Sequence, residues 1–426
     1  MKKISLAFAL LSLFTFCFSF SRAQSPVTFK VDILGHAEIR KGGLKDSLNY
    51  DPHFLVSRER LITDYTGKSE NLRWDLHLTL QHTTIWGQNG GLKIFEGWGK
   101  LSTLWGGFVQ VGRQALSYDD ERIIGMNDWA MAAQSHDALR AGFEHGAHKL
   151  HLIATYNQDD DVEETGGSYY TIDNGSQCYK TMLAGWYHLE PQDFPASLSL
   201  LFMNVGMQAG KKGVDEHNEY QQLYGGYAKF EKPWLTLEGS YYRQGGHEEH
   251  GLPIEAWMAA VKATWKPVNL LDISAGYDYL SGDEMFNVPA NGTVGLTQHK
   301  VIKGFNPIWG SHHKFYGAMD FFYVSTYVNG FTPGLRNLYA TVDLHPTEKL
   351  DFNLGYHYLA TATELDNMDL TLGHEIELSA SYDLSKEVSL SAGFSYMTGD
   401  ETMDKLKRST DDSHLTWAWI DLRFRN

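Results

Sequence analysis

Cysteine is nearly missing from this chain, and so is any long apolar run beyond its opening residues. Of 426 residues only Cys17 and Cys178 carry a thiol, and Cys17 falls within an apolar leader, so no disulfide framework can staple the fold. After residue 24 no apolar run reaches the roughly 18 residues that a membrane-spanning helix needs. Positive charge is also short: 36 Lys and Arg stand against 52 Asp and Glu. A nucleic-acid partner needs a basic face to neutralise phosphates, and this balance argues against one. The mean hydropathy of −0.35 would suit a water-soluble protein. It is equally compatible with a transmembrane β-barrel, whose strands show lipid only every second residue while lumen and loops stay polar.

The first residues have the build of an export signal. Lys2 and Lys3 precede an apolar stretch from Ile4 to Phe20, and Ser21-Arg22-Ala23 supplies a small-residue cleavage site before Gln24. Residues 1–23 are therefore expected to be removed, leaving 24–426 as the working chain. Loss of Lys2, Lys3 and Arg22 leaves 33 basic against 52 acidic side chains, a net charge of −19. An exported chain without disulfides points to the envelope of a Gram-negative bacterium.

What the chain has in abundance is strict alternation. Leu72, Trp74, Leu76, Leu78 and Leu80 interleave with Arg73, Asp75, His77, Thr79 and Gln81. The same period of two runs through Leu150–Tyr156, Leu271–Tyr279, Leu350–Tyr358 and Val388–Tyr396. Apolar-out, polar-in segments of about ten residues are the signature of a membrane barrel. The 23 Tyr, 22 Phe and 12 Trp would furnish its interfacial girdles. A soluble sandwich alternates too, but here the polar face is rich in Gly, Ser, Asp and His rather than solvating Lys and Glu. Connections also alternate short and long, with short turns near residues 66–70, 104–106, 146–147, 191–195, 231–233, 266–268, 345–348 and 384–386. Long ones fall near 41–52, 85–91, 115–134, 158–176, 208–217, 245–253, 361–371 and 399–413. The scheme closes if 281–335 is one outer excursion, although His313–Val324 looks strand-like. The expected fold is an all-β antiparallel transmembrane barrel of 18 strands, with 16 as the next choice, and both ends on the inner side.

One stretch breaks the alternation. Between Phe108–Val111 and the next apolar run, charge of both signs crowds into Tyr118-Asp119-Asp120-Glu121-Arg122, with Asp128-Trp129 and Ser135-His136-Asp137-Ala138-Leu139-Arg140 following. A polar, arginine-bearing segment between two barrel strands has its natural place at or inside the lumen. Parity puts Arg73 with Asp75, Arg140 with Glu144, and Lys30 with Asp32 and Arg40 on the lumen face. Arg113 shares parity with Val109 and Val111, so it needs either a bulge or a position at the rim. In the 281–335 excursion, Trp309, Gly310 and Gly317 would permit an inward fold presenting His312, His313 and Lys314. These charges can equally be a ladder that stiffens the barrel.

Other constellations are weaker. His247-Glu248-Glu249-His250 offers ligand-type side chains without a helix to present them. Asp159-Asp160-Asp161-Val162-Glu163-Glu164 reads first as a solvated loop and only second as a Ca2+ site. Ser135 and His136 have no placed oxyanion donor, so no catalytic machinery and no cofactor is expected.

Gly112-Arg113-Gln114, Asp120-Glu121-Arg122-x-x-Gly125, Asp128-Trp129 and Asp137-Ala138-Leu139-Arg140 resemble the alginate export family of outer-membrane barrels. So do His313-Lys314-Phe315-Tyr316-Gly317-x-Met319-Asp320, Leu372-Gly373-His374-Glu375-Ile376-Glu377 and Met403-x-x-Leu406-Lys407. The terminal strand departs from a barrel-assembly signal by ending Arg425-Asn426 beyond its last aromatic. The resemblance implies a monomeric 18-stranded channel, held in lipid and lipopolysaccharide, that passes an anionic polysaccharide or smaller anionic solute through an arginine-lined lumen. Arg73, Arg113, Arg122, Arg140 and Lys314, with Asp120, Glu121, Asp137 and Asp320 holding them, are the expected path. Guanidinium groups suit this because they bind carboxylates in a fork and stay charged. An unselective porin, an outer-membrane enzyme or an adhesin are the alternatives.

Overall fold

The structure, a computed structural model, describes residues 27–41, 53–157, 179–210, 214–283, 301–320, 332–364, 368–406 and 414–426. The expected leader, the acidic run 159–164 and the side chain of His312 lie outside them. Eighteen strands form one antiparallel sheet that closes on itself. In chain order they are β1 (Val27–Lys41), β2 (His53–Lys68), β3 (Leu72–Ile85), β4 (Gly91–Thr103), β5 (Gly107–Gln114) and β6 (His136–His145). There follow β7 (His148–Tyr156), β8 (Thr181–Leu189), β9 (Ala196–Ala209), β10 (His217–Lys232), β11 (Leu235–Gly246) and β12 (Ala256–Val268). The last six are β13 (Leu271–Leu280), β14 (Leu335–Thr347), β15 (Leu350–Ala360), β16 (Thr371–Asp383), β17 (Val388–Gly399) and β18 (His414–Arg425).

Each strand pairs with its sequence neighbours, and β1 also pairs with β18 from Asp32↔Arg425 to Lys41↔Thr416. Closure leaves no strand edge with unpaired backbone groups, which lipid would not tolerate. The seam is locked from the lumen side: the Arg423 guanidinium grips the Asp32 carboxylate at 2.7 and 2.5 Å. His36 Nδ1 lies 2.5 Å from Asp421. Arg425 ends the last strand, and the Asn426 side chain accepts the Val31 N–H at 2.7 Å, so the two polar residues after Phe424 extend the ladder.

Alternation does what period two requires. Leu76, Leu78, Leu198, Leu200, Phe202, Val261, Leu354, Leu378 and Ile420 are exposed on the outer wall, while Gln81, Arg60, Gln110, Asn337 and Glu375 on the inner face are buried. A continuous exposed apolar wall of this kind has no place in water. Trp105, Phe194, Trp234 and Trp265 stand exposed at the short-turn end, and Trp86, Tyr156, Tyr220 and Tyr224 toward the other. These are the aromatic belts of a membrane-spanning barrel.

Two of the long connections carry local structure of their own. Residues 313–320 are not a strand: a 3-10 turn spans His312–Lys314, and Tyr316, Gly317 and Asp320 have φ of 69°, 92° and 56°, which breaks extended backbone. β13 and β14 pair directly, and the count of 18 closes. The last long connection holds a short helix, α1 (Glu401–Leu406), whose buried Met403 and Leu406 face inward three residues apart. It is anchored by the Thr402 hydroxyl donating to the Asp369 carbonyl at 2.7 Å.

Candidate functional site

The lumen is narrowed by two long connections that fold inward and meet. The first is 115–135, between β5 and β6. The second is the described part of the β13–β14 connection, 301–320. Ile124 and Trp309 form a parallel bridge, Gly125 N–H donates to the Trp309 carbonyl at 2.8 Å, and Ser311 N–H donates to the Glu121 carbonyl at 2.9 Å. Left-handed backbone at Asp119, Glu121, Asn127 and Ala133 (φ 54°, 66°, 48° and 50°) coils the first segment tightly enough to fit. Leu116, Ile123, Ile124, Phe305, Trp309, Tyr316 and Met319 are all almost fully buried, and they pack against lumen-facing Met203, Val205, Tyr242 and Met258 of the wall. A small hydrophobic core thus forms inside the barrel, which a lumen filled only with water would not support.

Charge joins the segments to each other. Glu121 accepts from the Lys314 ammonium, from the Ser311 hydroxyl at 3.0 Å and from Ser117 at 2.5 Å. Burial works to raise the Glu121 carboxyl, but the donors Lys314, Ser117 and Ser311 outweigh it and hold the group below the ordinary carboxylate range. Arg122 is 5% exposed at its side chain and reaches Asp120 at 3.2 Å and Asp278 of β13 at 3.2 Å. Its guanidinium also donates to the Tyr316 hydroxyl at 3.2 Å and lies 4.0 Å above the Phe315 ring.

Further contacts fix the segments to the wall around the circumference. Asp128 is held by Arg58 at 3.1 Å and Arg60 at 2.7 Å, both from β2. Gln81 and Lys93 donate to the Ala132 carbonyl at 3.0 and 2.8 Å. Trp129 stacks on His313, centroids 4.1 Å apart, and meets Trp417 and Trp419 of β18 edge-on. On the far side, Glu375 accepts the Met319 N–H at 2.9 Å and Glu377 the Ala318 N–H at 2.5 Å.

Of the residues expected to line the path, Asp120, Glu121, Arg122, Lys314 and Asp320 gather in this constriction, with Asp320 against His313 at 3.0 Å. Arg122 is buried as a tie, not offered as a lining group. Arg73 and Arg140 face the lumen on the short-turn side. Arg73 pairs with Asp75 at 2.8 Å and its side chain is 60% exposed; Arg140 donates to Gln110 at 2.7 Å.

Arg113 and Asp137 are elsewhere. Arg113 pairs with Gly97 and Asp137 in the ladder, on the same face as exposed Val111 and Leu139. Its fork closes on Asp137 at 2.9 and 2.6 Å. No bulge intervenes on β5, so parity holds: the pair sits on the outer wall at the long-loop rim. Arg58, Arg60 and Trp417 are constriction residues that the sequence does not single out, while Trp129 and Glu375 are marked there only as parts of motifs. The signal for Arg58 and Arg60 was present, since they share parity with Asp64 in an alternating strand.

Two of the weaker constellations fall among the described residues. His136 is buried and hydrogen-bonded to the Tyr179 hydroxyl at 2.8 Å, edge-on to Trp309, a packing role. Glu248, Glu249 and His250 lie within 4.8 Å of one another, but the His250 side chain is 77% exposed and Glu248 is engaged in capping the Leu252 N–H at 3.1 Å.

No curated protein matches the chain. Among solved structures it is similar in fold to Pseudomonas aeruginosa OccK9 (OpdG), with TM-score 0.63 and 11% identity over 94% of this chain and 98% of that one. Pseudomonas aeruginosa OpdQ (0.63, 10%, 94% and 97%) and Acinetobacter baumannii OccAB1 (0.63, 10%, 96% and 99%) are similar to the same degree. The alginate export family model matches residues 95–372, a span that holds both inward segments. An outer-membrane barrel with a narrowed lumen is a transport channel, and the chain belongs to the alginate export family.

Proposed function

We propose that the protein is a passive, monomeric channel that lets anionic solutes, carbohydrate above all, across the outer membrane. Export by cleavage of residues 1–23, and a wall seated in lipid and lipopolysaccharide, belong to the same proposal, with the short turns on the periplasmic side. The observation that carries it is the distribution of lumen-facing cations. Arg73, Lys100 and Arg140 mark the route from the short-turn mouth toward Lys93 at the constriction, where Arg58 and Arg60, buried against Asp128, add positive charge to the wall without lining it. A carboxylate moving along that wall exchanges one charged donor for the next, and the neighbouring acids keep each stop weak enough to leave.

Reversal potentials across planar bilayers under a salt gradient test it. Anion selectivity that falls toward neutrality in Arg73→Ala and Arg140→Ala supports the reading, and Arg113→Ala, on the outer wall, serves as the control that leaves it unchanged. A cation-selective or indifferent wild-type pore would leave a general porin. One feature favours that second reading: the opposite wall, β11–β16, carries Glu238, Asp278, Asp343 and Glu377 toward the lumen.

A further inference from the structure

Beneath the joined segments, against β10–β16, lies a cavity of about 440 Å³, the size of pockets that hold small ligands. Its floor and walls do not have the character of the basic route. Glu238 accepts from the Tyr227 hydroxyl at 2.5 Å and Asp343 from the Asn353 amide at 2.6 Å. Both donors are neutral; Glu238 also faces Lys262 across the β11–β12 ladder, but neither carboxylate forms an ion pair among the described residues. Glu377 accepts from a backbone N–H and lies 3.4 Å from the His357 imidazole. The Arg122 guanidinium at the cavity edge is already committed to Asp120 and Asp278, and Lys314 to Glu121. That leaves Lys262 as the cation facing several carboxylates. The Ser240 hydroxyl, 9% exposed, lines the cavity with no hydrogen-bond partner among the described residues. A buried hydroxyl left so costs free energy until something meets it. Tyr227, Tyr339 and Phe315 add ring surface.

Oriented carboxylates with surplus negative charge, an unmet hydroxyl and aromatic faces suit a ligand that donates hydrogen bonds and carries positive charge. We propose that this cavity is a binding site for an amine-bearing, hydroxyl-rich solute of sugar size. Glu238 and Asp343 would receive the ammonium and its neighbouring hydroxyls, and Ser240 would take one further hydrogen bond. The inference rests on the lumen being a solute path but not on that path preferring anions.

The experiment is single-channel block in planar bilayers, with a β-1,4-linked glucosamine disaccharide as probe and cellobiose and a uronate disaccharide as comparators. The glucosamine disaccharide is expected to interrupt the current with the longest dwell. In Glu238→Gln/Asp343→Asn that dwell shortens about tenfold, equivalent to ~1.4 kcal/mol. Lys262→Ala acts in the opposite sense and lengthens it, because a like charge has been removed. Heat-modifiable gel migration and insertion of open channels into the bilayer establish that the variants are folded. An amine dwell equal to that of cellobiose, or one indifferent to the double substitution, overturns the site. Reversal potentials are read on the same membranes. Loss of anion preference with amine block intact therefore removes only the earlier proposal, and the converse result removes only this one.

Discussion

Arg122→Ala is the most informative single change, because Arg122 joins the two inward segments to the wall without lining the route. Asp278 is 1% exposed and the Arg122 side chain 5%, so truncation leaves a carboxylate buried without its counter-charge. Removing one partner of a buried ion pair costs about 3–5 kcal/mol. The Asn337 amide still donates to Asp278 at 2.9 Å, which places the cost at the lower end, ~3 kcal/mol. At 1.4 kcal/mol per tenfold, the ratio of docked to undocked segments falls by about two orders of magnitude. The strand ladders are untouched, so the barrel stays folded and retains heat-modifiable migration. Single-channel traces should flicker between the native level and a larger one. Arg122→Lys keeps the charge but not the fork across Asp120 and Asp278, and should lie between. If the alanine variant keeps the native conductance and noise, the joined segments are not what narrows this pore.

Trp129→Ala removes a ring packed on His313, Trp417 and Trp419. Since Trp129 is only partly buried, a loss below the ~3–5 kcal/mol of a core tryptophan is expected, read as a wider, noisier channel. The Glu121–Lys314 clamp gives a pH dependence whose sign is fixed. The folded carboxyl titrates below its ordinary value of 4.5, so its contribution is full above that pH and disappears as pH falls through the lowered value. Conductance should be steady between about pH 7 and pH 5 and become noisy only in stronger acid, and Glu121→Gln should show that noise at neutral pH. Finally, Arg113→Ala should leave reversal potential unchanged, whereas a shift as large as that of Arg140→Ala would put the Arg113 side chain in the lumen after all.

Much of the fold was legible because a membrane barrel is written in two simple codes, alternation and connection length. Leu76 and Leu78 must face lipid and Gln81 must not, and nothing distant in the chain can change that. Turn lengths located the strand ends to within a few residues, with β12 and β14 running slightly past the expected turns. The interior was harder. Arg58 and Asp128 are 70 residues apart and Arg122 and Tyr316 are 194 apart, and no local period records such pairings. Arg113 shows the strength of parity: its resemblance to a motif suggested the solute path, while the face it shares with Val111 pointed to the rim.

The two motif-bearing stretches, 112–140 and 313–320, also explain each other. Separately, each is a polar loop of a kind that usually lies in solvent. Across the two inward segments, Glu121 meets Lys314, Arg122 meets Tyr316, Gly125 meets Trp309 and Trp129 meets His313, so several unusual residues of one find partners in the other. Without the first segment, Asp278 of the wall would stay buried without the Arg122 guanidinium. A barrel wall fixes only a tube; what narrows this one is a junction assembled from two distant segments, set between a cation-bearing wall on β2–β6 and an acid-bearing wall on β11–β16. Solutes passing it meet both signs in turn, which is why charge substitutions on the two walls should move different solutes rather than change one common conductance.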